Sequence, residues 1–176
     1  MKIILFGASG TGTSTLGKSI SEKLKWTFLD ADDYYWEKTN PPFQKKIPLD
    51  RRNEHLKADF RNHKNVILSG SLVTWGDFWN TAFDLGVFLI LPKKIRMQRL
   101  YNRELERYGE ALKTNETIKA KSKAFLDWAA KYDDASFDGR SIHQHRNWAK
   151  LLSCEIVELN GDLTNRERLE LVIENI

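Results

Sequence analysis

A glycine-rich segment near the start of the chain constrains its fold more than any other feature. Residues 7–14 read Gly-Ala-Ser-Gly-Thr-Gly-Thr-Ser, and they connect the apolar run Lys2–Phe6 to the amphipathic stretch Ser14–Leu24. Glycine lets the backbone turn tightly and approach a ligand closely. The inward-facing N–H groups of such a turn, together with the positive end of the following helix, bind anions. The segment therefore predicts a strand, a phosphate-binding turn and a helix, in that order.

The turn follows the P-loop pattern G-x-x-x-x-G-K-[ST] at every fixed position except the lysine, which is replaced by Thr13. Ser14 supplies the hydroxyl expected to be a ligand of Mg²⁺, and Lys18 lies one helical turn too far along to replace the lysine. A glycine-rich turn without a ligand is the alternative interpretation. We expect ATP to contact these residues: Gly7, Ser9, Gly10, Thr11, Gly12, Thr13, Ser14 and Thr15.

Short apolar runs alternate with longer amphipathic stretches, a pattern typical of a parallel sheet covered by helices. The predicted strands are Lys2–Phe6, Trp26–Leu29, Val66–Ser69, Val87–Leu91 and Glu155–Leu159. The predicted helices are Ser14–Leu24, Arg51–Asn62, Lys93–Tyr108, Thr117–Tyr132, Ser141–Leu152 and Asn165–Ile176. A length of 176 residues fits a single domain, to which we expect two insertions, near residues 33–60 and 104–116.

The net charge of +4 comes from 28 basic and 24 acidic residues that are mixed along the chain. This weak bias suits an anionic small ligand, whereas nucleic-acid binding usually requires a concentrated basic surface. The single cysteine, Cys154, excludes an intrachain disulfide and favours a cytoplasmic setting. No apolar segment approaches the ~20 residues that span a membrane. We therefore expect a cytoplasmic protein that binds neither nucleic acid nor a membrane.

An acidic cluster, Asp30-Ala31-Asp32-Asp33, follows the second predicted strand. In a strand, Asp30 and Asp32 point to the same side, and at the carboxyl end of a parallel sheet they face the ligand crevice. We expect Asp30 to serve Mg²⁺ and Asp32 to orient an acceptor hydroxyl and accept its proton. A solvated turn that caps a helix is the alternative interpretation.

Arginines recur at a spacing of three or four residues along the helix predicted after Pro92, which places them on one face: Arg96, Arg99, Arg103 and Arg107. A solvated helix face is one interpretation, and a clamp for phosphates is the other. We favour the clamp for Arg103 and Arg107, which lie farther from the strand. Arg140 precedes a predicted helix start, where the helix dipole repels a cation, and this position suggests an anionic ligand.

Aromatic and basic side chains downstream of the acidic cluster could line an acceptor pocket, or could lie under a flap and in water: Tyr34, Tyr35, Trp36, Lys45, Lys46, Arg51 and Arg52. Aromatic rings stack on flat ligands, and the cations bind a phosphate or a carboxylate. We expect four tryptophans in the core: Trp75, Trp79, Trp128 and Trp148. His143 and His145 lie two apart on a predicted helix and face different directions, so we expect no metal site there.

These features resemble small-molecule P-loop kinases of the nucleoside-monophosphate (adenylate) kinase and shikimate/gluconate kinase families. The resemblance is greatest to bacterial adenylate-kinase-like and topology-modulation-type proteins, and it covers nearly the whole chain. It rests on the following residues: Gly7–Ser14, Asp30-x-Asp32, Ser69-Gly70-Ser71, Pro92, Arg99-Leu100, Arg103, Arg107-x-Gly109 and Arg140.

The resemblance implies an α/β fold of three layers, the P-loop NTPase fold. This fold has a five-stranded parallel sheet in the order 2-3-1-4-5 and helices on both faces. Residues 33–60 would form an acceptor-binding flap and residues 104–116 a short lid. The resemblance also implies that Asp30 is associated with Mg²⁺ and that Asp32 binds the acceptor. Arg103 would stack on adenine, while Arg107 and Arg140 would clamp phosphates. Ser69-Gly70-Ser71 replaces the glycine triplet of shikimate kinases, which argues against shikimate as the acceptor.

Two functions remain in view. The first is a monomeric or homodimeric kinase that uses ATP and Mg²⁺ to phosphorylate a small acceptor, such as a nucleoside monophosphate, a nucleoside or a similar metabolite. The second is a nucleotide-binding sensor or partner-binding protein that has lost most activity because Thr13 replaces the lysine. Losing one charge-stabilising group costs roughly 10²–10³ in rate. Enzymes accelerate phosphoryl transfer by far more than this, so we favour the kinase.

Overall fold

The computed structural model describes residues 1–176 and contains a five-stranded parallel sheet in the order β2-β3-β1-β4-β5. Its strands are β1 (Lys2–Gly7), β2 (Thr27–Asp30), β3 (Val66–Ser69), β4 (Leu85–Ile90) and β5 (Glu155–Asn160). Each strand overlaps the one predicted from the apolar runs. The predicted fold class and strand order are therefore confirmed.

Helices connect the strands and flank the sheet, and six of them are the predicted ones. The helices are α1 (Thr13–Leu24), α2 (Ala31–Tyr35), α3 (Leu49–Asn62), α4 (Lys93–Tyr108), α5 (Ala111–Thr114), α6 (Glu116–Ala130), α7 (Ile142–Leu151) and α8 (Asn165–Ile173). The short helices α2 and α5 and a 3-10 turn at Asp77–Asn80 were not predicted. No helix combines the length and the apolar character that a membrane crossing requires.

Two hydrophobic cores lie on opposite faces of the sheet, as alternation along β1 requires. Ile4 and Phe6 belong to one core, and Ile3 and Leu5 belong to the other. Three of the predicted core tryptophans are buried in the first core: Trp75, Trp79 and Trp148. The prediction for Trp128 is wrong, because this ring is only partly buried on α6 and lies against the Arg140 guanidinium.

The carboxyl ends of β1, β3 and β2 meet along one edge of the sheet. Ser69, the last residue of β3, pairs in register with Leu5 on one side and with Asp30 on the other. The glycine-rich loop leaves β1 at this edge and leads into α1. The first predicted insertion, residues 33–60, follows β2. The second, residues 104–116, begins in the last part of α4. This edge therefore brings together the loop, the acidic cluster and Ser69.

Candidate active site

The glycine-rich loop presents an uncapped helix N-terminus. Gly10 and Gly12 have φ angles of 86° and 93°, a region that favours glycine. Gly12 is the N-cap of α1, but no side chain caps this helix and no acidic residue lies in its first turn. The first-turn N–H groups therefore have no capping acceptor in the protein. This arrangement fits the phosphate groups of a nucleotide, because they would accept hydrogen bonds from these donors.

Thr11 differs from the other predicted phosphate contacts. Its hydroxyl donates a hydrogen bond to the carbonyl oxygen of Ala8 at 2.8 Å, and its backbone N–H donates to the same oxygen at 3.2 Å. The residue is buried. Both donors of Thr11 are thus used within the loop, so this residue shapes the turn and is not free to contact a phosphate.

The acidic cluster caps a helix, as its alternative interpretation described. Asp30 ends β2 and caps α2, since its Oδ1 accepts a hydrogen bond from the N–H of Asp32 at 3.1 Å. Asp32 therefore lies in a helix, and the argument from strand alternation was wrong. Ser14 Oγ lies 3.2 Å from Ser69 Oγ, so the candidate Mg²⁺ hydroxyl is positioned by the end of β3.

A crevice of about 320 Å³ collects the charged residues at this edge of the sheet. It is lined by Ser14, Lys18, Phe28, Asp30, Asp32, Asp33, Phe43, Arg103 and Arg107. Lys18, Phe28 and Phe43 were not predicted site residues, because local spacing does not reveal the contacts that bring them here. A larger groove of about 480 Å³ between α1 and α8 contains none of these residues.

Asp32 is a carboxylate of the crevice with a shifted pKa. Solvent reaches this side chain, but the surrounding protein displaces much of its hydration, and this desolvation is the main reason that its pKa is raised above 3.8. The negative charge of Asp30 raises the pKa further, whereas Arg140 and Arg103 lower it. A carboxylate with a raised pKa and two nearby guanidinium groups is suited to accept a proton near neutral pH.

Arg103 and Arg107 both line the crevice. Burial lowers the pKa of Arg103, and the positive charge of Arg107 lowers it further. The Arg107 guanidinium lies 4.3 Å from the centre of the Phe43 ring and donates to Glu104 at 3.2 Å. These two arginines provide the positive charge on the side of the crevice formed by α4.

Arg96 and Arg99, for which the clamp was not favoured, do not line the crevice. Arg96 is buried, donates to the carbonyl oxygen of Leu91 at 3.1 Å and forms an ion pair with Asp133. Arg99 pairs with Asp162 at 2.8 Å beside the phosphate loop. The four arginines therefore do not act as one face, because the helix directs them to different neighbours.

Arg52 and Arg140 are two further arginines, and neither lines the crevice. Arg52 is buried with its guanidinium between the rings of Tyr35 and Trp75, 4.3 Å and 4.6 Å from their centres, and its Nε has no hydrogen-bond partner. Burial lowers the pKa of Arg140, which Asp32 opposes and the charge of Arg52 reinforces. Neither arginine forms an ion pair in the structure.

His145 connects this region to the end of β3. Its Nδ1 lies 2.6 Å from Tyr132 Oη, and its Nε2 lies 2.8 Å from Ser71 Oγ. Burial and the charge of Arg140 lower the pKa of His145 to about 3. The ring is therefore neutral at neutral pH and serves as a hydrogen-bonding bridge.

The sheet order, the loop between β1 and α1 and the crevice beside it together define a P-loop kinase fold. A profile described as an AAA domain matches residues 3–121. This match covers more than half of the chain, and the chain belongs to that family.

Individual relatives are similar over most of their length. The chain is 40% identical to the uncharacterized protein YqaC of Bacillus subtilis (strain 168) over 172 residues, covering 98% of this chain and 95% of that protein. It is 34% identical to a probable gluconokinase of Xenopus tropicalis, covering 62% of this chain and 70% of the relative.

Solved structures share the fold at low sequence identity. Shikimate kinase from Bacteroides thetaiotaomicron has a TM-score of 0.60 at 19% identity, covering 99% of this chain and 97% of that one. Deoxyadenosine kinase from M. mycoides with bound dATP also has a TM-score of 0.60, at 17% identity, covering 99% and 98%. These likenesses extend over the whole sheet and the helices around it.

Proposed function

We propose that this protein is a kinase that transfers the γ-phosphoryl group of ATP to a hydroxyl or similar oxygen of a small, anionic acceptor. The observation that carries the proposal is the convergence, in one crevice, of the P-loop serine, three carboxylates and two arginines. The names of the relatives, a gluconokinase and two small-molecule kinases, support the same class of reaction.

The residues divide the work by position. The N–H groups at the start of α1 hold the nucleotide phosphates, and Ser14 and Asp30 hold Mg²⁺. The metal, when bound, neutralises charge on the β- and γ-phosphates. Asp32 accepts the proton of the acceptor hydroxyl. The acceptor oxygen bonds to the γ-phosphorus, and the bond between that phosphorus and the β–γ bridging oxygen breaks. Arg103 and Arg107 stabilise the charge on the transferred group.

The acceptor carries a carboxylate or phosphate that binds Arg52 and Arg140. A buried guanidinium without a carboxylate partner is costly, and Arg52 is held in this state by two aromatic rings. Its charge is close enough to lower the pKa of Arg140, whose own charge acts on Asp32. An anionic group between the two arginines would bring the rest of the acceptor to the proposed base.

The two insertions close over this crevice in the proposal, residues 33–60 as an acceptor flap and residues 104–116 as a lid. Contacts between them support this assignment, since Arg107 lies against Phe43 and the hydroxyl of Tyr108 donates to the carbonyl oxygen of Pro42 at 3.4 Å.

A matched screen of acceptors tests the proposal. ATP consumption with Mg²⁺ should occur with sugar acids or nucleoside monophosphates and should be absent with the corresponding neutral sugars and nucleosides. Arg52→Met should raise the KM for the acceptor about 10–100-fold, the effect of losing a charge-assisted hydrogen bond, and should leave the KM for ATP unchanged. Arg61→Met, at an exposed position on the same helix, is the control. Equal turnover of neutral acceptors would remove the anionic group from the proposal.

A weakened enzyme that mainly binds nucleotide is the second candidate, and Thr13 is the observation that favours it. Thr13→Lys separates the two. A degraded kinase should gain turnover when the lysine returns, whereas a kinase rebuilt around arginine should gain little. If the kinase is rebuilt around arginine, Arg107→Ala should lower turnover more than Thr13→Ala in steady-state kinetics at saturating Mg²⁺. The reverse order would assign Thr13 the more important role.

A further inference from the structure

Arg168, on α8, contacts the phosphate loop and does not line the crevice. Its Nη1 donates to the carbonyl oxygen of Thr11 at 2.6 Å, and its Nη2 donates to the carbonyl oxygen of Gly161 at 3.4 Å. The residue is only 5% exposed, and its Nε has no partner. Arg168 therefore joins the loop after β1 to the loop after β5.

No carboxylate neutralises this buried cation directly. Arg168 forms no ion pair, and Asp162, the acidic residue whose charge acts on it, is already paired with Arg99. Burial and the charge of Arg99 lower the pKa of Arg168, but a guanidinium remains protonated under ordinary conditions. Two arginines thus lie beside the loop with one carboxylate between them, which leaves an excess of positive charge.

The Arg168 guanidinium acts on one peptide group, the one that joins Thr11 to Gly12. The Thr11 carbonyl and the Gly12 N–H belong to the same peptide unit. A cation that donates to the carbonyl polarises the amide, which makes its N–H a stronger donor. Arg168 Nη1 also lies 3.4 Å from the point that a Cβ of Gly12 would occupy. The charge therefore acts at the centre of the predicted phosphate site.

We propose that Arg168 is a positioning residue for the phosphate loop and that, through the Thr11 carbonyl, it supplies positive charge that the missing lysine would otherwise supply. It fixes the Thr11–Gly12 peptide and strengthens the binding of nucleotide phosphates. This inference rests on the proposed function only in requiring that the loop binds a nucleotide, and it is independent of the acceptor.

Calorimetric titration of ATP·Mg²⁺ into the full chain tests the proposal. Arg168→Met should weaken ATP binding about 10–100-fold, the effect of losing a charge-assisted donor. Arg168→Lys should lose less ATP affinity, because lysine keeps the positive charge but cannot donate to both the Thr11 and the Gly161 carbonyl oxygens as the guanidinium does. Arg166→Met is the matched control on the same helix, since its side chain is exposed and pairs only with Glu170. It should bind ATP as the unmodified chain does.

Rescue distinguishes a charge effect from a packing effect. Thr13→Lys added to Arg168→Met should recover most of the lost affinity, and the same change in the unmodified chain should add much less. If Arg168→Met does not fold, the same comparison is made with Arg168→Lys.

Three contrary results would lead to three different conclusions. Equal ATP affinity in the unmodified chain and both Arg168 variants overturns this inference and leaves the kinase proposal standing. Weakened binding that Thr13→Lys does not restore assigns Arg168 to packing and overturns the charge-replacement argument. An unmodified chain that does not bind ATP·Mg²⁺ overturns the proposed function and this inference together.

Discussion

Asp32 is a crevice residue whose surroundings oppose its ionised form. Desolvation and the charge of Asp30 raise its pKa, although Arg140 and Arg103 lie close enough to moderate the effect. Such a carboxyl is a better proton acceptor near neutral pH than an ordinary one, but its ionisation costs folding free energy. Function and stability therefore make opposite demands on this position.

Asp32→Asn should lower turnover about 10²–10⁴-fold, the range for a lost general base, and leave ATP affinity intact. Turnover of the unmodified protein should fall as pH decreases through the raised pKa, because the protonated carboxyl cannot accept a proton. Steady-state kinetics across pH measure both effects. Asp127→Asn, on the exposed surface of α6, is the control. Full activity in the Asp32 variant would exclude this residue from the mechanism.

Asp32→Asn should also stabilise the ligand-free protein at neutral pH. The raised pKa means that the folded state binds more protons than the unfolded chain between the ordinary value of 3.8 and the raised one. Stability contributed by this group is therefore present at low pH and is lost as pH rises through that window. The variant should melt at a higher temperature than the unmodified protein at pH 7, and the difference should vanish below the ordinary value.

His145 gives a pH dependence of the opposite sign. Its pKa is about 3 in the folded protein, below the ordinary value of 6.5, so the unfolded chain binds the extra proton between these values. Stability is complete above 6.5 and falls on acidification, with a slope of up to about 1.4 kcal/mol per pH unit. Denaturant unfolding between pH 5 and 6.5 measures this slope, which His145→Gln should remove and His143→Gln, at an exposed position, should leave unchanged.

At the scale of elements, local sequence determines the long segments well. The strand Val66–Ser69 and the helix Lys93–Tyr108 were predicted with the observed limits, because a buried strand is a dense apolar run and a long helix repeats its buried positions. The helices α2 and α5 contain five and four residues, too few for any periodicity. Missing α2 also caused the wrong geometric argument for Asp32.

The candidate site was predictable where it depends on the loop and the strand ends. The glycine-rich turn, Asp30 and Asp32 follow from motif and topology. The clamp was expected for Arg103 and Arg107 alone, but the acidic partners of Arg96 and Arg99 were not predictable, because Asp133 and Asp162 come from other parts of the chain. Arg168 offered no local signal at all, since its partner Thr11 lies 157 residues away.

Asp30 connects the function of the site to the start of α2, and a single change can separate its two roles. Asp30→Ser keeps a side chain that caps a helix well, so the melting temperature should change little. The same variant loses the carboxylate proposed to serve Mg²⁺, so the Mg²⁺ concentration for half-maximal turnover should rise. Asp30→Ala should lose both, including about 0.5–2 kcal/mol of stability from the cap. Unchanged Mg²⁺ dependence in both variants would limit Asp30 to capping.

At the scale of the whole molecule, the candidate nucleotide site is assembled from distant parts of the chain. The loop after β1 supplies the N–H groups proposed to bind phosphate, α4 supplies Arg103 and Arg107, and α8 supplies the contact to Thr11. The sheet order explains how these parts meet, since β1 lies between β3 and β4 and both neighbours come later in the chain.

The central position of the first strand has a consequence for the lifetime of the folded protein. The phosphate loop cannot be held in its native shape until later strands and the helix near residue 168 have docked, so a transition state for folding that lacks these contacts cannot yet bind ATP. A ligand that recognises only the completed molecule slows unfolding and leaves the refolding rate unchanged. Stopped-flow tryptophan fluorescence should therefore show slower unfolding and an unchanged refolding rate in the presence of ATP·Mg²⁺. Faster refolding with ATP would mean that the loop forms early. Because unfolding would be slower when ATP is bound, the ATP concentration would determine how long each copy of the protein survives proteolysis that requires unfolding.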